Sequence, residues 1–407
     1  TPTGQGAETT GLQGQKQDSH LTFTPGQATI NGQNETVPFA PEGPQFVVNG
    51  QVQQGNSLPV HDASGKLQGT YTVQPNGDIS FQPAPDFYGT PTPATLRVTD
   101  KNGSTAEAVY QPTVTKVTPT STNDTSTGLQ GQPQSGKPTF TAGDPAVPLD
   151  DTKPLTFEDG QSTKTVSGVG VYAINSDGSI TFTPDKQYVG TPDPVTVKRV
   201  DKNGTEVTAT YTPTVTKVTP TSTDATSNGI QGQPQKGTPT FTEGNPLVPI
   251  DDTKPMTFED GHSTKTVPGV GEYSINPDGS ITFTPEKQYV GTPAPVTVKR
   301  VDKNGTEVTA TYTPTVTKVT PIGTGSTSTG PQGVPQTGTP TFQGGDPLVP
   351  IDETVEPTFE DGSKEKSIPG QGTYTIAPDG TVTFTPDKQF VGKPDPVTVK
   401  RVDKNGT

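Results

Sequence analysis

The sequence contains no cysteine and no tryptophan, and it has only one methionine and three histidines. Without cysteine the chain cannot form a disulfide, a thiolate metal site or a cysteine nucleophile. The histidines are scattered, which argues against imidazole-based catalysis. No apolar run approaches the ~20 residues that cross a bilayer. These absences argue against a cysteine- or histidine-based enzyme and against a membrane span in this segment.

Positive charge is also scarce, because 28 Lys and Arg face 42 Asp and Glu and leave a net charge of −14. Nucleic acid and anionic lipid both require clustered basic residues, so neither is an expected partner. The chain holds 75 threonines, 47 glycines and 46 prolines, while hydrophobic residues make up 25%. Such a composition borders on that of disordered chains, so the fold class depends on pattern. The overall character is that of a solvated extracellular segment.

The dominant pattern is a repeat of 101 residues. The string Asp-Lys-Asn-Gly begins at Asp100, Asp201, Asp302 and Asp403, each 101 residues after the last. This period is too long for a solenoid unit and suits one small domain. The first copy carries an insertion between about 24 and 67, and the fourth lacks the segment that matches Glu307–Val319. The sequence therefore predicts four tandem domains, at residues 1–117, 118–218, 219–319 and 320–407.

Within each copy, apolar residues alternate with polar ones. In the second copy Tyr172 and Ile174 precede the turn Asn175–Gly178, and Ile180 and Phe182 follow it, which predicts a β-hairpin. Helical periodicity is absent, and prolines interrupt most windows. The expected fold is all-β, with about seven short strands per copy in an antiparallel β-sandwich.

A second hairpin is predicted around the Asp-Lys-Asn-Gly turn. Val195, Val197 and Val200 lead into Asp201–Gly204, and Val207 and the residues after it lead out. The change of parity between Val197 and Val200 suggests a β-bulge. The Asn-Gly step supplies the positive backbone angle that such a turn needs.

The segments between copies are rich in Thr, Ser, Pro and Gly. They are interpreted as short, extended linkers, so the array is expected to be elongated. The Gln-Gly-Gln-Pro-Gln string that follows is either linker or a first edge strand. The proposed linkers are Thr118–Thr127, Thr219–Asn228 and Thr320–Thr329.

Carboxylate clusters recur in three copies and raise the question of calcium. Their spacing fits no calcium-loop motif, and solvated turns are the favoured interpretation. Basic pairs beside the Asp-Lys-Asn-Gly motif could present charge to a ligand, but hairpin geometry explains them more simply. The clusters are Asp150-Asp151 with Glu158-Asp159, Asp251-Asp252 with Glu259-Asp260, and Asp352-Glu353 with Glu360-Asp361; the pairs are Lys198-Arg199, Lys299-Arg300 and Lys400-Arg401.

Other candidate sites are weaker still. His262 lies beside Ser263 and near Asp260, but the sister copies place Gln161 and Ser363 at its position, which argues against a catalytic triad. A Lys–Asn isopeptide bond would need a Lys, an Asn and an acid buried together, whereas Asn175 becomes Ala377 in the fourth copy and no Lys lies on an apolar face. Asn203-Gly204-Thr205 matches a glycosylation triplet, but turn chemistry explains it. No catalytic, cofactor-binding or metal-binding residue is assigned.

Four strings carry a resemblance to a known family. They are Gly-Leu-Gln-Gly-Gln-Pro-Gln (128–134), Thr-Phe-Glu-Asp-Gly (156–160), Ile-Thr-Phe-Thr-Pro-x-x-x-Tyr-Val-Gly-Thr-Pro (180–192) and Val-Lys-Arg-Val-Asp-Lys-Asn-Gly-Thr (197–205). Together they resemble the CshA-type fibril repeat of streptococcal surface adhesins. The resemblance implies a cell-wall-anchored extracellular protein, with an N-terminal ligand-binding region followed by many such repeats that build surface fibrils. It also implies adhesion to fibronectin or to other microbes.

Two functions are therefore expected from different classes. In the first, the repeats are a structural stalk, whose immediate partners are the other repeats of the same chain. The alternative is that the repeats themselves bind host or microbial ligands, with avidity from copy number. The stalk is favoured because the polar strand faces and the lack of tryptophan offer no evident binding hot spot. An enzyme is not expected, and neither is a cofactor.

Overall fold

A computed structural model describes residues 1–407, and every regular element in it is a β-strand. The chain forms no helix of the length and apolarity needed to cross a membrane. It divides into two units, Thr1–Lys217 and Val218–Thr407, and the four repeats fall two to a unit. The predicted all-β class is confirmed.

The first repeat has two main sheets, with strand orders β2-β13-β12-β7-β8 and β3-β11-β10-β9. Two small two-stranded pairings, β1-β4 and β5-β6, accompany them. Its strands are β1 (Thr3–Gln5), β2 (Ala7–Leu12), β3 (Gln17–His20), β4 (Thr22–Thr24), β5 (Gln27–Ile30), β6 (Gln33–Thr36), β7 (Gln45–Val48), β8 (Gln51–Val52), β9 (Ser57–His61), β10 (Leu67–Val73), β11 (Asp78–Pro83), β12 (Ala94–Thr99) and β13 (Thr105–Thr115).

The second repeat has two four-stranded sheets, ordered β15-β23-β22-β18 and β16-β21-β20-β19, and a β14-β17 pair. Its strands are β14 (Thr120–Thr122), β15 (Asp124–Leu129), β16 (Gln134–Gly136), β17 (Thr139–Thr141), β18 (Thr156–Phe157), β19 (Thr163–Val166), β20 (Gly170–Ile174), β21 (Ile180–Pro184), β22 (Val195–Val200) and β23 (Glu206–Thr216).

The third repeat has the same topology, with sheets β25-β33-β32-β28 and β26-β31-β30-β29 and a β24-β27 pair. Its strands are β24 (Thr221–Thr223), β25 (Ala225–Ile230), β26 (Gln235–Gly237), β27 (Thr240–Thr242), β28 (Thr257–Phe258), β29 (Thr264–Val267), β30 (Gly271–Ile275), β31 (Ile281–Pro285), β32 (Val296–Val301) and β33 (Glu307–Thr317).

The fourth repeat keeps one complete four-stranded sheet, ordered β35-β40-β39-β38. Opposite it lies only the β37-β41 pair, since the sequence contains no counterpart of β33, and a β34-β36 pair accompanies them. Its strands are β34 (Ile322–Thr324), β35 (Gln336–Gly338), β36 (Thr341–Gln343), β37 (Thr358–Phe359), β38 (Glu365–Ile368), β39 (Gly372–Ile376), β40 (Val382–Pro386) and β41 (Val399–Lys400).

The core of each repeat is built by strand alternation. Along β23 every second side chain is buried, because successive residues of a strand point to opposite faces. Tyr172 is paired with Phe182 across β20 and β21, and their rings stack with centroids 4.5 Å apart. The Tyr211 ring meets Tyr172 edge-on at 6.2 Å. The buried core of the second repeat consists of Phe157, Tyr172, Ile180, Phe182, Val195, Val197, Ala209, Tyr211 and Val215.

Both predicted hairpins are present. Strand β20 pairs with β21, and β22 pairs with β23, each antiparallel. The predicted bulge between Val197 and Val200 is wrong, because the register from Val195↔Tyr211 to Val200↔Glu206 is continuous. The alternation of buried and half-buried residues ends at Val197, and the three residues after it are all half-buried. The backbone pairing with β23 continues through them without a bulge.

The Thr-rich segments contain strands. Strand β14 pairs with β17, and β15 runs parallel to β23 from Asp124↔Tyr211 to Leu129↔Thr216. The third repeat repeats both pairings with β24 and β25. The interpretation of 118–127 and 219–228 as linker is therefore corrected, as is that of 322–324 within 320–329, where β34 pairs with β36. Threonine is β-branched and suits strands, and the backbone hydrogen bonds of an edge strand do not depend on apolar side chains.

Candidate inter-repeat interface

A tight turn follows the first edge strand of a repeat. In the first repeat this Gln-Gly turn consists of Gln13 and Gly14, and the Gln15 N–H donates to Leu12 O at 3.0 Å. Gly14 has φ +77°, a conformation that residues with a Cβ rarely adopt. The glycine is therefore required by the backbone of the turn as well as by what contacts it.

The glutamine of the turn is buried, with 3% of its surface exposed. Its Nε2 donates to Pro85 O at 2.9 Å, and its Oε1 accepts the Val117 N–H at 3.1 Å. Val117 is the residue at which the chain leaves the first repeat, and it is itself buried. One side chain thus ties the exit of the repeat to the turn.

The Asp-Lys-Asn-Gly motif forms the Asn-Gly turn, defined in the second repeat as Asp201–Gly204. Asp201 is buried, and its Oδ1 accepts the N–H groups of Asn203 and Thr205, both at 2.9 Å. The Lys202 N–H donates to Pro148 O at 2.9 Å. These hydrogen bonds fix the direction in which the Asn203 side chain leaves the turn.

The two turns meet between the first and second repeats. Asn203 Nδ2 donates to Gln13 O at 2.9 Å, across 190 residues of sequence. A Cβ on Gly14 would overlap Asn203 Oδ1, so only glycine leaves room for the amide. Gln15 Nε2 also donates to Ala146 O at 3.2 Å. The contact is therefore both a hydrogen bond and a close steric fit.

The same interface occurs between the third and fourth repeats. Asn405 Nδ2 donates to Gln231 O at 2.9 Å, and Gly232 meets Asn405 Oδ1 as Gly14 meets Asn203. Gln233 Nε2 donates to Leu348 O at 3.2 Å, which matches the Gln15 contact. The Gln231 side chain again bonds a carbonyl, at 2.9 Å, and the N–H of the exit residue, at 3.1 Å.

One half of each acidic cluster forms ion pairs with basic residues in or beside the Asn-Gly turn. Arg199 Nη2 lies 2.9 Å from Asp151 Oδ1, and Lys202 Nζ lies 3.3 Å from Asp150 Oδ1. Hydrogen bonds from Thr152, with the Lys202 ammonium, lower the pKa of the Asp150 carboxyl. The other half of the cluster lies in a different turn, where Asp159 Oδ1 accepts the Gln161 N–H at 2.9 Å. The structure thus divides the predicted clusters between two turns.

The third and fourth repeats show the same ion pairs. Lys303 Nζ lies 3.1 Å from Asp251 Oδ1, and the Thr253 hydroxyl and this ammonium lower the pKa of the Asp251 carboxyl to about 2. Lys404 Nζ lies 3.1 Å from Asp352 Oδ1. No three carboxylate, imidazole or thiol groups of the chain lie together as ligands for a metal ion.

The remaining sequence candidates lie apart from this interface. His262 Nδ1 lies 3.3 Å from Asp260 Oδ2 on the surface. Asn175 Nδ2 donates to Ser179 Oγ and Thr181 Oγ1, each at 2.9 Å, within its own hairpin. The structure assembles neither a triad nor a Lys–Asn pair around these residues.

One open groove of 760 Å³ lies on the second repeat, beside the Asn175–Gly178 turn. Its lining includes Lys137 and Arg199 together with Asp151 and Asp177, so both signs of charge are present. A lining that carries both signs of charge does not favour a ligand of one charge.

Comparison with known proteins gives one family. A model of the surface adhesin CshA repetitive domain matches residues 1–114, 116–215, 217–316 and 318–407. The sequence matches no curated protein.

Several solved structures are similar at low levels. The I9–I11 tandem of titin is 12% identical, covering 78% of this chain and 97% of that chain with a TM-score of 0.29. Mouse cadherin-23 EC22–24 is 15% identical, and the match covers 78% of this chain and 99% of that chain with a TM-score of 0.29. Drosophila N-cadherin EC1–4 is 12% identical, and the match covers 98% of this chain and 95% of that chain with a TM-score of 0.21. TM-scores this low carry no argument about function.

Proposed function

Because the chain belongs to the family of the surface adhesin CshA repetitive domain, we propose that its repeats form a structural stalk. The stalk holds a distal ligand-binding region of a longer protein away from the bacterial cell wall, to which that protein is anchored. Fibronectin or other microbes are then captured mainly by regions outside these repeats. The proposed domains are residues 1–117, 118–218, 219–319 and 320–407.

The observation that carries this proposal is the recurrence of one docking contact. Asn203 on Gln13 and Asn405 on Gln231 share donor, acceptor and distance. A stalk requires junctions that resist rotation, and a hydrogen bond set in a close steric fit limits rotation better than a flexible tether does. The second repeat presents its Asn-Gly turn to the first, and the fourth presents its turn to the third, so one junction geometry recurs in the array.

The 101-residue period provides a direct test. Deleting residues 118–218 joins Val117 directly to Thr219. The new junction is still a valine followed by a threonine, as at Val117–Thr118 and Val218–Thr219 of the parent chain. Small-angle scattering should show the maximum dimension falling by about one domain diameter, ~35 Å. The same deletion in the longer adhesin should leave ligand capture intact. No change in dimension, or loss of capture with this single repeat, would reject the stalk.

The alternative function, in which the repeats themselves bind ligands, makes the opposite prediction. The present chain alone should then capture fibronectin or partner microbes, with strength rising with repeat number. A pull-down with this chain, beside the longer adhesin as the positive control, separates the two functions.

A further inference from the structure

The Asn-Gly turn occurs in this chain in two environments. In the second and fourth repeats its asparagine is docked, and Asn405 is only 5% exposed. In the first repeat Asn102 occupies the same turn but is exposed to solvent. The backbone is the same in all three, since Gly103, Gly204 and Gly406 have φ of +82°, +83° and +82°. The three asparagines therefore differ mainly in what their side chains contact.

Asparagine before glycine carries a specific reactivity. The backbone nitrogen of the glycine attacks the side-chain carbonyl carbon Cγ and forms a new C–N bond. The Cγ–Nδ2 bond breaks, and the proton lost by the glycine nitrogen leaves with Nδ2 as ammonia. The product is a cyclic imide, which water opens at either carbonyl to give aspartate or isoaspartate. Glycine permits this attack because it has no Cβ to hinder the approach. Water is the sole co-reactant.

We propose that the Asn-Gly turns of this array are deamidation sites, and that docking of one repeat on the next protects them. Cyclisation requires the Asn203 side chain to rotate until its carbonyl carbon faces the Gly204 nitrogen. In the docked state Nδ2 is held by Gln13 O, and Oδ1 is packed against Gly14. The reaction therefore proceeds only from the open junction.

Deamidation would also prevent the junction from closing again. An ionised carboxylate has no hydrogen to donate, so at position 203 it would face the Gln13 carbonyl oxygen with two acceptors in contact. Isoaspartate would in addition lengthen the backbone of the turn. The modification thus converts a transient opening between repeats into a permanent one.

The test is to age the complete chain in mildly alkaline buffer, digest it, and follow each Asn-Gly peptide by mass spectrometry. Asn203 and Asn405 should deamidate about fivefold or more slowly than Asn102, the population ratio that one net hydrogen bond provides. In denaturant the three rates should converge. Equal rates for Asn102 and Asn203 in the folded chain would overturn the proposal.

A pair of glycine variants supplies the control. Gly14→Ala should raise the rate at Asn203 toward that of Asn102 and leave Asn405 unchanged. Gly333→Ala alters the equivalent turn of the fourth repeat, which has φ +74° and open space at the Cβ position, so all rates should stay as in the parent. If Gly14→Ala leaves Asn203 slow, or if Gly333→Ala accelerates it, docking does not protect the residue.

Discussion

At the scale of single residues, the interface depends on what one glutamine can do. Gln13 donates from Nε2 to Pro85 O and accepts at Oε1 from Val117 N, while its backbone carbonyl accepts from Asn203. Glutamate could accept but could not donate when ionised, and a shorter asparagine would not span the same two partners. The residue couples the exit of one repeat to the docking of the next.

Asp251, which pairs with Lys303 in the Asn-Gly turn of the third repeat, gives a prediction about stability at acid pH. The pKa of Asp251 is about 2 in the folded chain, against 3.8 for the free group. Because the unfolded chain binds this proton more readily, the stabilisation is present above pH 3.8 and is lost as the pH falls toward 2. Asp251→Asn should lower the melting temperature at neutral pH and reduce its further decline in this acid window. Thermal unfolding across pH measures both, and an unchanged acid decline would contradict the assignment.

At the scale of elements, the sequence predicted what is local. The β20–β21 hairpin follows from alternation and an Asp-Gly turn, both contained in fifteen residues between Gly170 and Pro184. The parallel pairing of β15 with β23 was missed, because a polar edge strand carries no alternation signal and its partner begins over eighty residues later. The composition of 118–127 suggested a linker for the same reason.

The candidate site was predicted only in part. The sequence located the Asn-Gly turn and assigned its shape from the dipeptide. It gave no sign that the Asn203 amide points away from its own repeat, because the acceptor lies 190 residues earlier. One signal was present from the second copy onward, since Gln-Gly recurs at Gln130, Gln231 and Gln332 with the same 101-residue period as the turn. Two motifs that keep one spacing across copies are compatible with mutual contact, but spacing alone does not identify it.

The fourth repeat allows a prediction about one strand. Its sheet opposite β35–β40 has only β37 and β41, and Tyr374 is 8% exposed where Tyr273 is fully covered. Extending the chain after Thr407 with a copy of Glu307–Val319 should restore the strand equivalent to β33. The melting temperature of this repeat should rise by at least about 4 °C, which corresponds to ~1 kcal/mol in a domain of this size.

The control for this extension keeps its length and removes its apolar face. Val308, Ala310, Tyr312 and Val316 are buried hydrophobic residues of β33, so their copies are replaced by threonine. This second extension can still form backbone hydrogen bonds but buries much less apolar surface. If both extensions raise the melting temperature equally, the apolar face of the strand is not what the repeat lacks.

At the scale of the whole molecule, stability is expected to depend on each repeat and on its nearest neighbours. Each repeat buries its own aromatic core, so no repeat needs another to complete it. The interface adds a small polar contact to that core. A mutation that destabilises one repeat should therefore also lower the stability of its docking partner but not that of more distant repeats.

This expectation is tested by a large-to-small substitution in the core of one repeat. Phe182 is fully buried against Tyr172, and Phe182→Ala should destabilise the second repeat by about 3–5 kcal/mol. As that repeat opens, the Asn-Gly turn it presents is lost, and hydrogen exchange at the Gln13 and Gln15 amides of the first repeat should quicken. Exchange in the hairpin of Tyr374 and Phe384 should stay as in the parent, because the fourth repeat makes its own core. Faster exchange in all four repeats would mean that the array unfolds as one cooperative body, and unchanged exchange at Gln13 would mean that docking contributes nothing to the repeat that receives it.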